Sequence, residues 1–341
     1  MREIDDGILQ PETSQQDMLG AKTLQQPMEV NTVISTAWQH YRANFSRYLP
    51  IALRGTGWLL FPAVFLLSAL LYMLQQGQVL SDFSGLTALI VPAWLVLFLW
   101  CGAQSLGEFA GISRLVHQSL VFQSLEDPEE TDSEALSMTL RFTHSRRFSL
   151  LGSAIIKGAI LAAINILLLF VLAAAAVMVF IGLGILPGSS PNLGLFFGGG
   201  AVALVSLIVF GWLYTWLGLK LLMNEQSLAI ETESGMLLSI GQSWRLMRKH
   251  LMRSLWIVLL ASLMTLPISL VMAVLAQVVH PFLFQQIGII VADRKEISTG
   301  LLPYATFYLV SSILGLVGGI IVKPFFRTVL TTLYFDIKNQ Q

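Results

Sequence analysis

The sequence predicts an all-α polytopic membrane protein, with six transmembrane helices arranged as three repeated hairpins, each preceded by an amphipathic interfacial helix. Three observations carry this expectation. Hydrophobic residues fill 55% of the 341 positions and charged residues only 12%, and the mean hydropathy of +0.71 is too apolar for a soluble domain of this length. The apolar residues fall in six blocks, each long enough to cross a hydrocarbon layer, which takes about 20 residues. A basic, aromatic phrase recurs ahead of these blocks, as "AWQHYRANFSRYLPIALR" at 37–54 and "SWRLMRKHLMRSLWIVLL" at 243–260.

Residues 1–30 are polar and acidic-leaning and lack a basic stretch running into an apolar one, so a disordered tail without a cleavable signal peptide is expected. Residues 31–341 read as a single membrane domain, with repeat units near 31–124, 125–227 and 228–341. The six apolar blocks lie near 50–73, 85–107, 158–185, 196–222, 255–279 and 303–326. Turn-like links, "QQGQVLSDFSG" and "PGSSPNLG", follow the first and third blocks and mark hairpins, whereas longer charged links join one hairpin to the next. The link at 281–298 is long for an outer loop. Pro62, Pro92 and Pro267 stand within blocks as candidate kinks, while "GGG" at 198–200 and "GLVGG" at 315–319 allow helices to approach closely.

An even number of spans puts both termini on one side. Placing the termini and inter-hairpin links together collects 18 of the 20 Lys and Arg residues, leaving only Arg294 and Lys295 opposite. The positive-inside rule then makes both termini cytoplasmic, in a bacterial plasma membrane crossed several times. Net charge is zero because acids cluster in the same links, as in "LEDPEETDSEA".

The repeated phrase aligns Trp38 with Trp244, Arg42 with Arg248, Arg47 with Arg253, Leu49 with Leu255 and Ile51 with Ile257 at a constant offset of 206. A weaker middle copy, "EALSMTLRFTHSRRFSLLGSAI", occupies 134–155, and its Arg147 joins the other basic candidates. Upstream, "LQQPME" and "LEDPEE" share Leu-x-x-Pro-x-Glu, and "LAIETE" keeps the Leu and the last Glu. In the first unit Ile34, Ala37, Trp38, Tyr41, Phe45 and Tyr48 make one helical stripe with Arg42, Asn44 and Arg47 off it. In the third unit Leu237, Ile240, Trp244, Met247 and Leu251 do the same. Such helices suit a membrane surface, with aromatic groups at the acyl boundary and cations at anionic headgroups. Arg42, Arg47, Arg147, Arg248 and Arg253 are therefore candidates for lipid headgroups or a membrane partner; the other reading is a topology anchor that packs on the bundle.

These phrases, "S/T-x-x-W…R…R-x-L" before a hairpin and the closing "PFFRTVLTTLYFDIKNQ" with Tyr334, Phe335, Asp336, Ile337 and Lys338, resemble the membrane-domain family named after glycerophosphoryl diester phosphodiesterases, including its stand-alone six-span bacterial members. The resemblance covers 30–340 and implies six spans without an activity. In the named enzymes the chemistry belongs to a separate soluble barrel, for which this chain has no room.

No catalytic or metal-binding motif stands in the sequence. His-Glu-x-x-His, Gly-x-Ser-x-Gly, Gly-x-x-x-x-Gly-Lys-Ser/Thr and Cys-x-x-Cys are absent, the five histidines are scattered, and the single Cys101 lies in an apolar block. A non-enzyme is expected, without cofactor, metal or nucleic-acid partner. Ionisable residues near spans are the remaining candidates, because charge in hydrocarbon is costly. Arg54, Lys157, Lys220, Lys323 and Arg327 are long enough to reach the membrane surface; Glu108 is not, and needs Arg54 or Lys157 as a partner. Asn165 lies deeper and suits a helix-to-helix hydrogen bond. The function expected is a lipid- or partner-binding membrane organiser. The alternative is a transporter-like component working through Glu108 and the repeats.

Overall fold

A computed structural model describes residues 27–76, 83–122, 132–185, 190–232, 235–291 and 302–340. The tail at 1–26, much of the two turn-like links, the "LEDPEE" lead-in and the outer residues Arg294 and Lys295 lie outside the described residues. The described chain is all-helical: α1 (Val30–Ala43), α2 (Phe45–Gln76), α3 (Phe83–Phe122), α4 (Asp132–Ser145), α5 (Arg147–Gly182), α6 (Leu193–Lys220), α7 (Asn224–Ile230), α8 (Met236–Met247), α9 (Leu251–Val291) and α10 (Leu302–Asn339).

Six of these helices hold stretches long and apolar enough to cross a membrane: Phe45–Leu66, Val91–Val121, Arg147–Gly182, Leu193–Ile230, Leu251–Phe282 and Val310–Asn339. Each of the six long helices runs 28 to 41 residues, about 42–62 Å at the α-helical rise, against a hydrocarbon core of about 30 Å. Each therefore extends past the apolar layer. Helix α9 continues through Pro281 to Val291, so the first part of the segment expected as a long outer loop is helical. Pro62, Pro92 and Pro267 likewise sit inside unbroken helices. The carbonyl of Pro62 accepts a hydrogen bond from Trp94 Nε1 at 3.1 Å, tying α2 to α3.

Helix α2 packs along α3, α5 along α6, and α9 along α10. The α5–α6 pair shows why glycine is needed. A Cβ on Gly199 would stand 2.8 Å from the Ala175 carbonyl oxygen, and one on Gly182 would stand 2.4 Å from the Phe196 nitrogen. At the turn between them Gly184 takes φ +68°, a left-handed conformation that ends helices at glycine. Asn192 caps α6 by accepting from Gly194 N and Leu195 N. Of the "GGG" run only Gly199 makes a close approach, since Gly198 and Gly200 face open space.

Burial is concentrated at one end of the bundle. The main core joins Val33, Ala37 and Tyr41 of α1, Tyr48, Ile51 and Ala52 of α2, Phe109, Ile112 and Val116 of α3, Ile257 and Ala261 of α9, and Phe325, Val329, Leu333 and Ile337 of α10. Away from this end the spans are largely bare. Only 6% of the most apolar window of α5, and 6% of that of α6, is buried, against 56% in α3. The short helices all attach at the packed end: α1 lies on α10 and α9, α4 on α3, and α8 against α7, α5 and α6.

Gly199→Ala is expected to force α5 and α6 apart at a cost of about 2 kcal/mol, the usual range for overpacking. Thermal unfolding in detergent checks this, with Gly200→Ala as the neutral neighbour; equal melting temperatures for the two variants would refute the close crossing.

Candidate functional site

The packed end holds the charges that the sequence places near the ends of the spans. Glu108 of α3 is 1% exposed. Its Oε1 lies 3.9 Å from Arg54 Nη1 and 3.4 Å from His144 Nε2, while its Oε2 is buried without a hydrogen-bond partner. Arg54 is thus brought to Glu108 as expected, at a distance where an exposed guanidinium contributes little. Lys157 is not brought to Glu108. It lies 3.6 Å from Glu225 Oε1, and Arg327 donates to the other oxygen of that carboxylate at 2.6 Å.

Glu225 is the residue that sequence reasoning missed. It sits in "KLLMNEQSLAI", where the chain turns from α6 into α7 beyond the end of a span. The signal available was an acid between the apolar runs "LKLLM" and "SLAI", with Arg327 unassigned and Lys157 held as a candidate partner for Glu108. Through it α5, α7 and α10 are pinned together. Its neighbour Gln226 accepts from Thr331 Oγ1 at 3.1 Å.

Two further carboxylates hold the closing motif. Asp336 lies 2.5 Å from Arg253 Nη2 and accepts from the Met28 amide at 3.0 Å, and Arg253 also donates to the Met28 carbonyl. The segment leading into α1 is therefore clamped between α9 and α10. Glu231 accepts from Tyr334 Oη and from Lys338 Nζ, the latter at 2.9 Å, and its carbonyl accepts from Arg146 Nη1 at 2.6 Å. Burial raises the pKa of Glu231, but the hydrogen bonds from Tyr334 and Lys338 outweigh it and hold the carboxyl below its ordinary value.

The five arginine candidates separate into two groups. Arg42 and Arg248 are exposed, and neither has an ion pair among the described residues. Arg47 is half-buried. Arg147 is half-buried too, its guanidinium 4.9 Å from the Trp100 ring and 5.1 Å from the Phe148 ring. Arg253 is spent on Asp336 and Met28, as above.

The apolar stripe of α1 points inward rather than to a membrane surface. Ile34, Ala37, Tyr41 and Tyr48 are buried, Tyr41 Oη donates to the Ile321 carbonyl at 3.0 Å, and burial pushes the Tyr41 hydroxyl up to about 12. Only Trp38 remains open, 43% exposed, with its ring edge-on to Phe325. Trp244 of α8 is similarly 41% exposed and edge-on to Trp216, with Lys220 Nζ 5.1 Å from its ring. Off the stripe, His40 Nε2 lies 2.8 Å from Tyr48 Oη and 3.0 Å from Ser119 Oγ, whose hydroxyl donates to the Val116 carbonyl, and burial pushes the His40 pKa down.

Among the described residues no three His, Cys, Asp or Glu side chains are set to hold a metal ion. No family model, curated protein or solved structure matches the chain.

Two outcomes are expected of this site. Glu225→Ala leaves Arg327 and Lys157 without their carboxylate and should cost about 3 kcal/mol, as when one member of a largely buried pair is removed; an unchanged melting temperature would show the contacts to be idle. The lowered pKa of His40 means that the unfolded chain binds its proton first, so its share of stability is intact above pH 6.5 and is lost as pH falls below that value. His40→Gln should therefore melt with a weaker drop between pH 7.5 and 5.5 than the wild type, and an identical drop would contradict the buried neutral imidazole.

Proposed function

We propose that this chain is a non-enzymatic bacterial plasma-membrane protein that binds anionic lipid at the cytoplasmic rim of a threefold-repeated, six-span bundle. The reading places both termini in the cytoplasm, on the side where 18 of the 20 basic residues gather. It keeps the resemblance to the phosphodiesterase membrane-domain family as one of architecture.

The repeat is supported by burial in a fixed register. Ala37, Thr139 and Ser243 are all buried, as are Tyr41, Thr143 and Met247, then Tyr48, Leu150 and Ser254, then Ile51, Ser153 and Ile257. The three members of each set stand 102 and then 104 positions apart, and the helix breaks at Asn44, Arg146 and His250 keep the same spacing. Two of the lead helices lie on the closing span of the unit before them, α1 on α10 and α4 on α3, and α8 touches both spans of the unit before it. In this register His144, rather than Arg147, stands opposite Arg42 and Arg248.

The observation that carries the function is the exposure of two equivalent pairs. Trp38 with Arg42, and Trp244 with Arg248, stand open; the other stripe positions of the first unit are buried or half-buried, whereas in the third Leu237 stands open as well. An indole and a guanidinium four residues apart share one helix face, and together they match the headgroup level of an anionic leaflet, where each cation contributes about 1 kcal/mol. Arg47 and Arg253, at the next equivalent pair, are drawn toward the protein instead, so the rim is narrower than the four arginines of the sequence motif.

Arg42→Gln with Arg248→Gln is expected to lower the affinity for vesicles containing phosphatidylglycerol by roughly tenfold at low salt, with a smaller loss at high ionic strength. Flotation of the purified protein in nanodiscs against labelled vesicles measures it. Wild-type binding by the double variant, or loss that salt does not alter, would overturn the reading.

A further inference from the structure

We propose a second lipid site that does not depend on the rim: the cleft between α9 and α10 holds one anionic phospholipid, its phosphate on Lys323 and an acyl chain along Gly315 and Ala276. The cleft has a volume of about 450 Å³ and runs from Phe307 to Lys323 on α10, with Met272, Ala273 and Ala276 among its residues from α9. Gly318 brings the two helices together at its floor, where a Cβ would stand 2.9 Å from Met272 Cγ. Ala273 and Gly315 are exposed, so the cleft opens sideways. Both walls belong to stretches apolar enough to span a membrane, and the opening faces hydrocarbon.

Length and shape fit one chain. The span from Phe307 to Lys323 covers about 24 Å of helix, within a hydrocarbon core of about 30 Å. Small residues at Ala273, Ala276, Gly315 and Gly318 leave a slot that no side chain fills among the described residues. A slot of this kind forfeits dispersion contacts along its whole lining unless a chain lies in it, and a bilayer supplies acyl chains from the side.

Charge decides which lipid. Lys323 lies at one end of the cleft, its stem folded over Gly319, with Cε 3.1 Å from the position of a Cβ there. Its ammonium stands 5.0 Å from the centre of the Phe109 ring. No carboxylate pairs with it among the described residues. One turn further on, Arg327 is already paired with Glu225, so Lys323 contributes a positive charge that the protein leaves uncompensated. An anion on this ammonium gains a charge-assisted contact at the edge of the apolar layer, where solvent screening is weak. The combination of a chain-sized slot and a cation at its end selects a phosphate with an acyl chain attached, over free phosphate or a neutral lipid.

Native mass spectrometry of the full chain, gently extracted with phosphatidylglycerol and phosphatidylethanolamine in equal amounts, tests the site. Gly315→Leu fills the slot from a position where a Cβ meets nothing within 4 Å, Ala273→Leu fills it from the other wall, and Lys323→Gln removes the charge. In the Arg42→Gln, Arg248→Gln protein, which lacks the rim's share, we expect one phosphatidylglycerol retained, and about tenfold less when each of the three cleft substitutions is added to it. Retention unchanged in the cleft variants overturns the proposal, whatever the rim arginines do. Equal retention of phosphatidylethanolamine overturns the role of Lys323, and displacement by millimolar inorganic phosphate overturns that of the acyl slot. Loss only in the Arg42, Arg248 protein leaves the rim as the sole lipid site and also overturns the cleft.

Discussion

Apolar helices in a bilayer gain little from one another that lipid chains do not already supply, and the bundle has to be closed by something else. Here the closing contacts lie at one end, where the helices extend past the apolar layer and where α1, α4, α7 and α8 attach. Three carboxylates fasten that end across long stretches of sequence: Glu225 to Lys157 and Arg327, Asp336 to Arg253 and the Met28 amide, and Glu231 to Tyr334 and Lys338. Each joins elements that hydrophobic packing alone would not hold in register. A buried charge without its partner is so costly that these pairs specify which helix sits beside which.

Such an arrangement explains the uneven burial of the spans. Helix α3, with Phe109, Ile112 and Val116 in the core, packs against α2, α4, α5, α7 and α10. The α5–α6 pair is held mainly to itself by the Gly182 and Gly199 crossing and touches the rest through its packed end. That pair therefore presents most of its apolar surface outward, which the bilayer tolerates and water would not. The polar residues of the packed end are consistent with this: Thr328, Thr332 and Ser153 bond within their own helices, so a helix end can be buried there without new partners.

How far the sequence foretold this depends on the kind of signal. The six spans were legible because hydropathy over about 20 residues is a physical requirement of the bilayer. Their extensions were less so, since Pro281 reads as a boundary although α9 runs through it. The stripe expected from Ile34 to Tyr48 is divided by the helix break at Asn44, and periodicity says only that a face is apolar, while the membrane and the bundle are equally apolar partners. The pairing of Arg54 with Glu108 followed from proximity to the same span end; that of Lys157 with Glu225 did not, because an acid past a span end carries no mark of the helix it will meet. Arg253 looked like Arg42 and Arg248 in the motif, yet its position places it beside Asp336, and only three-dimensional neighbours separate a structural arginine from a free one.

A bundle that buries Glu108, Glu225 and Asp336 has ample acid to neutralise its packed end, and Arg54, Lys157, Arg253, Arg327 and Lys338 are drawn onto it. Arg42, Arg248 and Lys323 have no carboxylate among the described residues, a property they share with Arg114, Arg147 and Lys220. The first two stand open beside tryptophans; the third stands at the end of a slot between α9 and α10. An acid in place of Ser269 or Gln277 along the same cleft would supply Lys323 with a carboxylate from within the protein. A cation kept without a counter-ion at the edge of an apolar slot costs stability unless the bilayer supplies the anion, and anionic phospholipid is the one component there that carries both the charge and the chain.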